Sequence, residues 1–375
     1  YYNFAQEAEH SEIPDSDARL GFVAQDQKAV MDLLTLAIEE LQKDKTKETW
    51  KLSSGIHYRA QALPQGTKVV ALFSGQGSQY INMCKDITVN YPPMRETFAE
   101  MGRLLLDDNE STIARVVYPE QAFTEEGKKA QVEKLKLTQY IQPAMGAVSA
   151  GLFKMAQQSG FKADFVAGHS YGELTALWAA GVIDDANFYS LSRARSIAMG
   201  SQPEEGYDAG GMLAVMGDAK EIEANLSVYK GVAIANYNSP KQVVLAGPTQ
   251  AIAEAKEGLK KDGFSAVTLA VSAAFHSPLV EYAHTPFSNA IDKIKFSKPH
   301  TTIFSNVTAE PYSSSVKEIK KSFKRNMLNS VHFTQEINNI ADQGGAIFVE
   351  FGPKNVLTKL VGSILADRPH LAVAM

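Results

Sequence analysis

The chain has 375 residues, 45% hydrophobic and 21% charged, an ordinary globular composition with length for one large domain and a smaller companion, or for two to three domains. Its 37 basic and 42 acidic residues leave a net charge of -5, which gives no electrostatic footing for nucleic acid or an anionic membrane. No apolar run reaches the roughly 20 residues of a membrane span, and a single cysteine, Cys84, excludes an internal disulfide and a cysteine-built metal site, so the expected setting is reducing and cytoplasmic.

The chain begins at Tyr1 rather than at methionine and has no basic-then-apolar signal pattern, so it reads as a piece of a longer polypeptide. Residues 1–64 differ in character from the rest. A polar opening leads into ARLGFVAQDQKAVMDLLTLAIEELQK, a short apolar run and then an amphipathic helix with Val30, Leu33, Leu34, Ala37, Ile38 and Leu41 at helical spacing. KDKTKETWK reads as charged and exposed, and SSGIHYRAQALPQG ends in Pro64 and Gly66, a boundary signal. KVVALF (68–73) is almost continuously apolar and runs into Ser74-Gly75-Gln76-Gly77-Ser78, the pattern of a buried parallel strand ending in a glycine loop. The loop lacks the Gly-Lys-Ser/Thr ending of a P-loop and the third glycine of a dinucleotide fingerprint, which excludes those two phosphate sites. DFVAG (164–168) and AIFVEFGP (346–353) are two further strands of the same kind, with helical patterns between them, so the main body is α/β with a parallel sheet. Residues 206–271 read strand, helix, strand, strand, helix, strand, the ferredoxin-like order. They form a small α+β subdomain inserted into a larger one made of 65–205 and 272–375.

FVAGHSYGELTALWAAG (165–181) places a serine between two glycines where a strand gives way to a helix. One reading is structural: Ser170-x-x-Glu173 is a capping box, with Leu174, Leu177 and Trp178 on one helical face and Gly181 as terminator. The other is a nucleophile elbow, in which Gly168 and Gly172 let the backbone pass itself closely and the turn presents the Ser170 hydroxyl. The two readings are compatible. A serine nucleophile needs a base. His169 is its sequence neighbour and should leave the turn in another direction. His276, in AVSAAFHSPLVEYA, follows an apolar run and precedes Ser277-Pro278, a helix start, which puts it in a strand-to-helix connection and ahead of His10, His57, His284, His300, His332 and His370. No acidic residue stands out between Ser170 and His276, since Asp184 and Asp185 read as helix caps. That favours a Ser-His pair whose imidazole is oriented by a backbone carbonyl. Arg193 and Arg195 lie in FYSLSRARSIAMG; Arg195, 25 residues after Ser170, would if it faced the serine select an acyl group carrying a free carboxylate, such as malonyl.

SGQGSQY, GHSYGE, the arginine 25 residues on, ANYNSPKQVVLAG, AAFHSP and FVEFGPKNVL occur in the order and at about the spacing of malonyl-CoA:acyl carrier protein acyltransferases, and the resemblance runs from about residue 68 to 375. GFVAQDQ, a helix and GIHYRAQ before it resemble the small α/β linker between ketosynthase and acyltransferase domains of multidomain synthases. GHSYGELTALWAAGVI is most similar to the acyltransferase domain of polyunsaturated fatty acid synthases, with iterative polyketide synthases next. The resemblance implies a large α/β-hydrolase-like parallel-sheet subdomain with the small ferredoxin-like one inserted. It implies that Ser170 is acylated, that His276 is general base and then acid, and that the amides of Gln76 and Tyr171 form the oxyanion hole. Arg195 would hold the malonyl carboxylate. Asn326 would orient the histidine through its carbonyl, its side chain mattering less. Met199 and Phe275 would line the pocket, with Asn236 and Asn238 in support. Malonyl-CoA and a phosphopantetheinylated acyl carrier protein would be the substrates, with no cofactor and no metal, and an adjacent ketosynthase domain a partner.

The sequence departs from the resemblance at two points. Ala273-Ala274-Phe275-His276 keeps the phenylalanine that blocks an α-methyl but not the first position usual for malonyl. Tyr171 is an uncommon elbow residue, expected to narrow the pocket or to bond a bound group. Three alternatives remain at this point: a serine hydrolase or thioesterase, a transferase of an uncharged acyl group, and a catalytically silent docking module.

Overall fold

The chain divides after Thr67 into two units. The computed structural model describes residues 18–61, 66–103, 112–201, 204 and 206–375; the polar opening with His10, Pro64 at the expected boundary and position 205 lie outside the described residues.

In the first unit, β1 (Arg19–Gly21), α1 (Gln27–Lys43), β2 (Thr49–Lys51) and β3 (His57–Arg59) form an antiparallel three-stranded sheet, order β1-β3-β2, with one helix. The helix starts where the Asp26 carboxylate accepts a hydrogen bond from the Ala29 amide at 2.7 Å, an N-cap. Its expected apolar stripe is only partly used: Ala37 is buried, while Ile38 is 54% exposed. The stretch expected to be charged and exposed instead contributes β2, because Trp50 stacks on Tyr58 with ring centroids 5.1 Å apart. One aromatic cross-strand pair outweighs the lysines around it.

The second unit opens with β4 (Lys68–Phe73), followed by α2 (Thr138–Gln158), β5 (Phe165–Gly168), α3 (Gly172–Ala179) and α4 (Asp185–Gly200). Next come β6 (Gly211–Met216), α5 (Ala219–Ala224), β7 (Ala233–Ser239), β8 (Gln242–Gly247), α6 (Thr249–Lys261) and β9 (Ser265–Thr268). The chain then adds β10 (Thr302–Ile303), β11 (Gly345–Phe351) and β12 (Leu371–Ala374).

The large sheet has the order β10-β5-β4-β11-β12, with every pairing parallel. Its central strands read as unbroken apolar runs because both faces are covered. Ala71 and Phe73 of β4 face one core with α2, while Val70 and Leu72 face a second core with Phe304 and Phe333. β10 and β12 carried no signal in the sequence: one is two residues long, and the other is a four-residue edge strand without a fully buried residue.

The small sheet has the order β7-β8-β6-β9, the ferredoxin-like arrangement, antiparallel throughout. Leu213 and Val215 of β6 pack under Ile222 of α5 and Ile252 of α6. Met212 and Ala214, pointing the other way, line a cavity that also borders the large sheet. The alternation of one strand thus builds a core on one side and a roof on the other.

Glu350, fully buried at the end of β11, caps the helix 356–364 from outside. Its carboxylate accepts hydrogen bonds from the amides of Leu357 (3.0 Å) and Thr358 (2.8 Å) and from the Thr358 hydroxyl (2.8 Å), whereas the Asn355 side chain makes no cap bond. That helix supplies Val356, Leu357 and Leu360 to the cavity wall. Glu350→Ala strands these donors and is expected to cost about 1–3 kcal/mol, read as a lower urea midpoint with unchanged slope.

Candidate active site

Three residues carry the chain from β5 into α3, and the turn is tight because two of its flanks are glycine. A Cβ on Gly168 would collide with the backbone of Gly172, and one on Gly172 would collide with the carbonyl oxygen of Phe73 in β4. Ser170 sits at the apex with φ +55, a left-handed conformation that costs an L-residue about 1–2 kcal/mol. The capping box does not form. The Ser170 hydroxyl is bonded to His276 rather than to the Glu173 amide, and the Glu173 carboxylate points to Asn306, Tyr312 and Asn326. The geometry of the elbow has displaced that of the cap.

His276 lies in the connection after β9, also at positive φ (+60), and is 5% exposed. Its Nδ1–H faces two carbonyl oxygens, Asn326 at 2.8 Å and Asn329 at 3.1 Å. With the proton held at Nδ1, Nε2 is the acceptor, and it stands 2.7 Å from Ser170 Oγ. Two backbone carbonyls do the work that a carboxylate does in a triad. Burial, and then the positive charge of Arg195, push the imidazole down to about 3, so it is neutral at ordinary pH.

Arg195 is 1% exposed and is not itself on the cavity wall. Its Nη2 donates to Asn326 Oδ1 at 3.3 Å, its guanidinium carbon is 5.7 Å from the Tyr171 ring centroid, and Nη1 is buried with no hydrogen-bond partner. Burial pulls its pKa down to about 10, which leaves it cationic at neutral pH. The Asn326 side chain, expected to matter less than its carbonyl, is instead the bridge between Arg195 and Glu173, to which its amide donates.

Tyr171 turns away from the expected positions. Its hydroxyl is bonded to Ser192 Oγ at 2.5 Å and fills the space left by Gly146, where a Cβ would strike it. That hydroxyl is committed to the core, and the ring forms a shelf beside Arg195.

The cavity, about 420 Å³, is bordered by Gln76, Ser170, Tyr171, Met199, Phe275 and His276, and by Met212 and Val244 of the small sheet. Asn236 borders it too and bridges to Val331, while Asn238 Oδ1 is 2.7 Å from His169 Nε2, tying the elbow to β7. His169 also borders the cavity, with its Nε2 engaged by Asn238 rather than by Ser170. Arg193 is half-buried on α4, on no wall of the cavity.

Two residues here were missed in the sequence. Asn306 is fully buried: its Oδ1 accepts the Ser170 amide at 2.7 Å, and its Nδ2 donates to the Gly168 carbonyl at 2.5 Å and to Glu336 at 2.9 Å. It follows β10, a strand too short to see. Gln142, beside Pro143 in α2, borders the cavity with a buried Oε1 that has no partner and an Nε2 3.5 Å from Met199 Sδ. A glutamine inside an apolar helical run was the available signal.

Residues 70–373 match the family model for the acyl transferase domain. The chain is 36% identical over 368 residues to a polyunsaturated fatty acid synthase protein of a Thraustochytrium species, covering 96% of this chain but only 13% of that protein. It is 34% identical over 305 residues to the malonyl CoA-acyl carrier protein transacylase of Escherichia coli K12, covering 80% of this chain and 93% of that one. Among solved structures it resembles the acyltransferase domain from the second module of the salinomycin polyketide synthase (TM-score 0.79, 27% identity, 96% of this chain and 78% of that one). It also resembles a chain in the complex of a type II polyketide synthase acyl-carrier protein with its malonyl-transacylase (TM-score 0.72, 30% identity, 82% and 96%). No helix among the described residues is long and apolar enough to cross a membrane. A family match that runs through both the elbow and the histidine turn makes this chain a member of the acyl transferase domain family.

Proposed function

We propose that the chain transfers a malonyl group from malonyl-CoA, through an ester on Ser170, to the phosphopantetheine thiol of an acyl carrier protein. The observation that carries the malonyl assignment is Arg195, a buried cation with an unpartnered Nη1 that Asn326 joins to the histidine of the Ser-His pair. A buried guanidinium with a free edge is matched by a carboxylate, whose two oxygens fit its fork. The similarity to a malonyl CoA-acyl carrier protein transacylase across 93% of that enzyme supports the same substrates.

The chemistry follows from the geometry. Ser170 Oγ attacks the thioester carbonyl while its proton passes to His276 Nε2. The carbonyl oxygen becomes an oxyanion, for which the amides of Gln76 and Tyr171, both at the cavity, are the donors, the latter at the positive end of α3. Collapse breaks the C–S bond, and the coenzyme A sulfur takes the proton from His276. In the second half the carrier thiol gives its proton to Nε2 and attacks the ester, and Ser170 recovers its proton as it leaves. Met199 and Phe275 wall the acyl site, and the residues 206–271 carry the roof that keeps water out. This cycle draws on no cofactor or metal.

The first unit supports a place in a multidomain synthase. A match over 96% of the chain is more than the second unit alone can supply, so these two relatives share most of the 1–67 region, whereas the 80% match to the bacterial transacylase does not require it. The reading is a linker followed by a polyunsaturated fatty acid synthase acyltransferase domain, working in the cytoplasm beside a ketosynthase.

Ser170→Ala is expected to abolish the mass added by malonyl-CoA in intact-mass spectra. Arg195→Ala should cut malonyl loading far more than acetyl loading, by tens to hundreds-fold for the loss of about 2–4 kcal/mol of charge-assisted contact. Normal malonyl loading by Arg195→Ala would remove the carboxylate clamp, and free malonate as the main product in the presence of carrier protein would make the chain a hydrolase. The depressed His276 pKa sets the expected pH profile. With the neutral base present down to about pH 3, kcat/KM for loading should change by less than about twofold between pH 7 and pH 5, where a histidine of ordinary pKa would lose about 25-fold.

A further inference from the structure

Behind the elbow lies a buried carboxylate that the reaction itself does not use. Glu173 is fully buried in the first turn of α3. Its Oε1 accepts hydrogen bonds from the Asn306 amide at 3.0 Å and the Tyr312 hydroxyl at 2.7 Å, and its Oε2 accepts one from the Asn326 amide group. Each asparagine passes the contact on to the reaction site. Asn306 Oδ1 holds the Ser170 amide at 2.7 Å, and Asn326 holds Arg195 through Oδ1 at 3.3 Å and His276 through its carbonyl at 2.8 Å. One carboxylate thus stands a single residue away from the nucleophile, the base and the arginine.

We propose that Glu173 is the positioning residue of this site, fixing Arg195 for a carboxylate through Asn326 and the Ser170 elbow through Asn306. The chemistry needs a carboxylate and not its amide. Three donors converge on Glu173, and an ionised group is all acceptor, so it accommodates all three without turning a donor against a donor. Burial outweighs the hydrogen bonds from Tyr312, Asn306 and Asn326 that favour the ionised form, and leaves its pKa raised to about 7. Accepting from Asn326 Nδ2 also fixes which way that amide faces: with Nδ2 toward Glu173, Oδ1 must face Arg195. In Glu173→Gln an amide NH2 replaces one oxygen, Asn326 rotates to accept from it, and a donor is turned toward the guanidinium. Glu336, the other buried acid here, contacts Asn306 through one oxygen only, its second being unpartnered, and it does not reach Asn326. The arginine link therefore runs through Glu173 alone.

The inference rests on Arg195 receiving the malonyl carboxylate, and its test separates the two. The kcat/KM values for loading from malonyl-CoA and acetyl-CoA are measured for the wild type, Glu173→Gln, Arg195→Ala and the double variant. Glu173→Gln should slow both donors through the elbow, and lower the malonyl-to-acetyl ratio by about a further tenfold through Arg195. In the Arg195→Ala background the same change should leave that ratio where it is, because the link no longer has an end. Equal falls for both donors, or the same ratio shift with and without Arg195, would reduce Glu173 to a structural residue and overturn the inference. A wild-type ratio in Arg195→Ala alone would sink the malonyl reading and this inference with it. Where thermal melting finds Glu173→Gln unfolded, Asn326→Ala, which keeps the carbonyl on His276, replaces it, and an unchanged ratio there is equally decisive against the link.

Discussion

Everything at the site depends on a backbone crossing too close for side chains. β4 and β5 are paired in register from Val70–Phe165 to Phe73–Gly168, and the start of α3 is pressed against the carbonyl of Phe73. Only glycine fits at 168 and 172, and the serine between them has no relaxed conformation available. The strain is held by the apolar strands on either side, whose alternate residues anchor in two different cores. A packed parallel sheet is what allows a strained apex to persist at its C-terminal edge.

Burial then does the electrostatics. The imidazole has no acidic partner; burial and then the fully buried guanidinium of Arg195 lower its basicity by more than the two carbonyl hydrogen bonds raise it. In the proposed reading, the burial that disfavours the Arg195 charge would also strengthen its pairing with a carboxylate, since a buried charge pair is screened little. Acceptors for the ring proton come from the backbone of Asn326 and Asn329, which no titration can remove. The imidazole is thus set by desolvation and fixed dipoles, with the buried carboxylates of Glu173 and Glu336 set behind the asparagines.

Much of this was legible in residue order. The apolar runs 68–73 and 346–351 declared central strands, and the alternating rhythm of 206–271 declared the small sheet, because period and length survive in the sequence. The serine, the histidine and the arginine could be singled out by type and spacing. What could not be read was side-chain direction. Tyr171 borders the cavity, but its hydroxyl, expected to serve the pocket, is spent in the core on Ser192 beside Gly146; Asn326 was valued for its carbonyl and turns out to be a three-way junction; and the Ser170–Glu173 pair that spells a capping box has each member bonded elsewhere. Asn306 escaped because its strand is two residues long. These misses share a cause: each depends on partners more than 20 residues away, which local pattern does not encode.

The weakness of His276 as a base has a consequence for what the enzyme can give its cargo to. In the proposed cycle an acyl-serine ester waits for an acceptor that must surrender a proton to this ring. A thiol, with a pKa near 8.5, gives one up readily; water, at about 15.7, resists by some seven orders of magnitude more. Ser170 is as poor an acid as water, but it is fixed 2.7 Å from Nε2 by the elbow, and a wandering water has no such placement. A triad with a buried aspartate would help both acceptors. Holding the imidazole with carbonyls alone leaves acceptor acidity as a filter, so loss of the intermediate to hydrolysis is slowed by proton affinity as well as by exclusion of solvent.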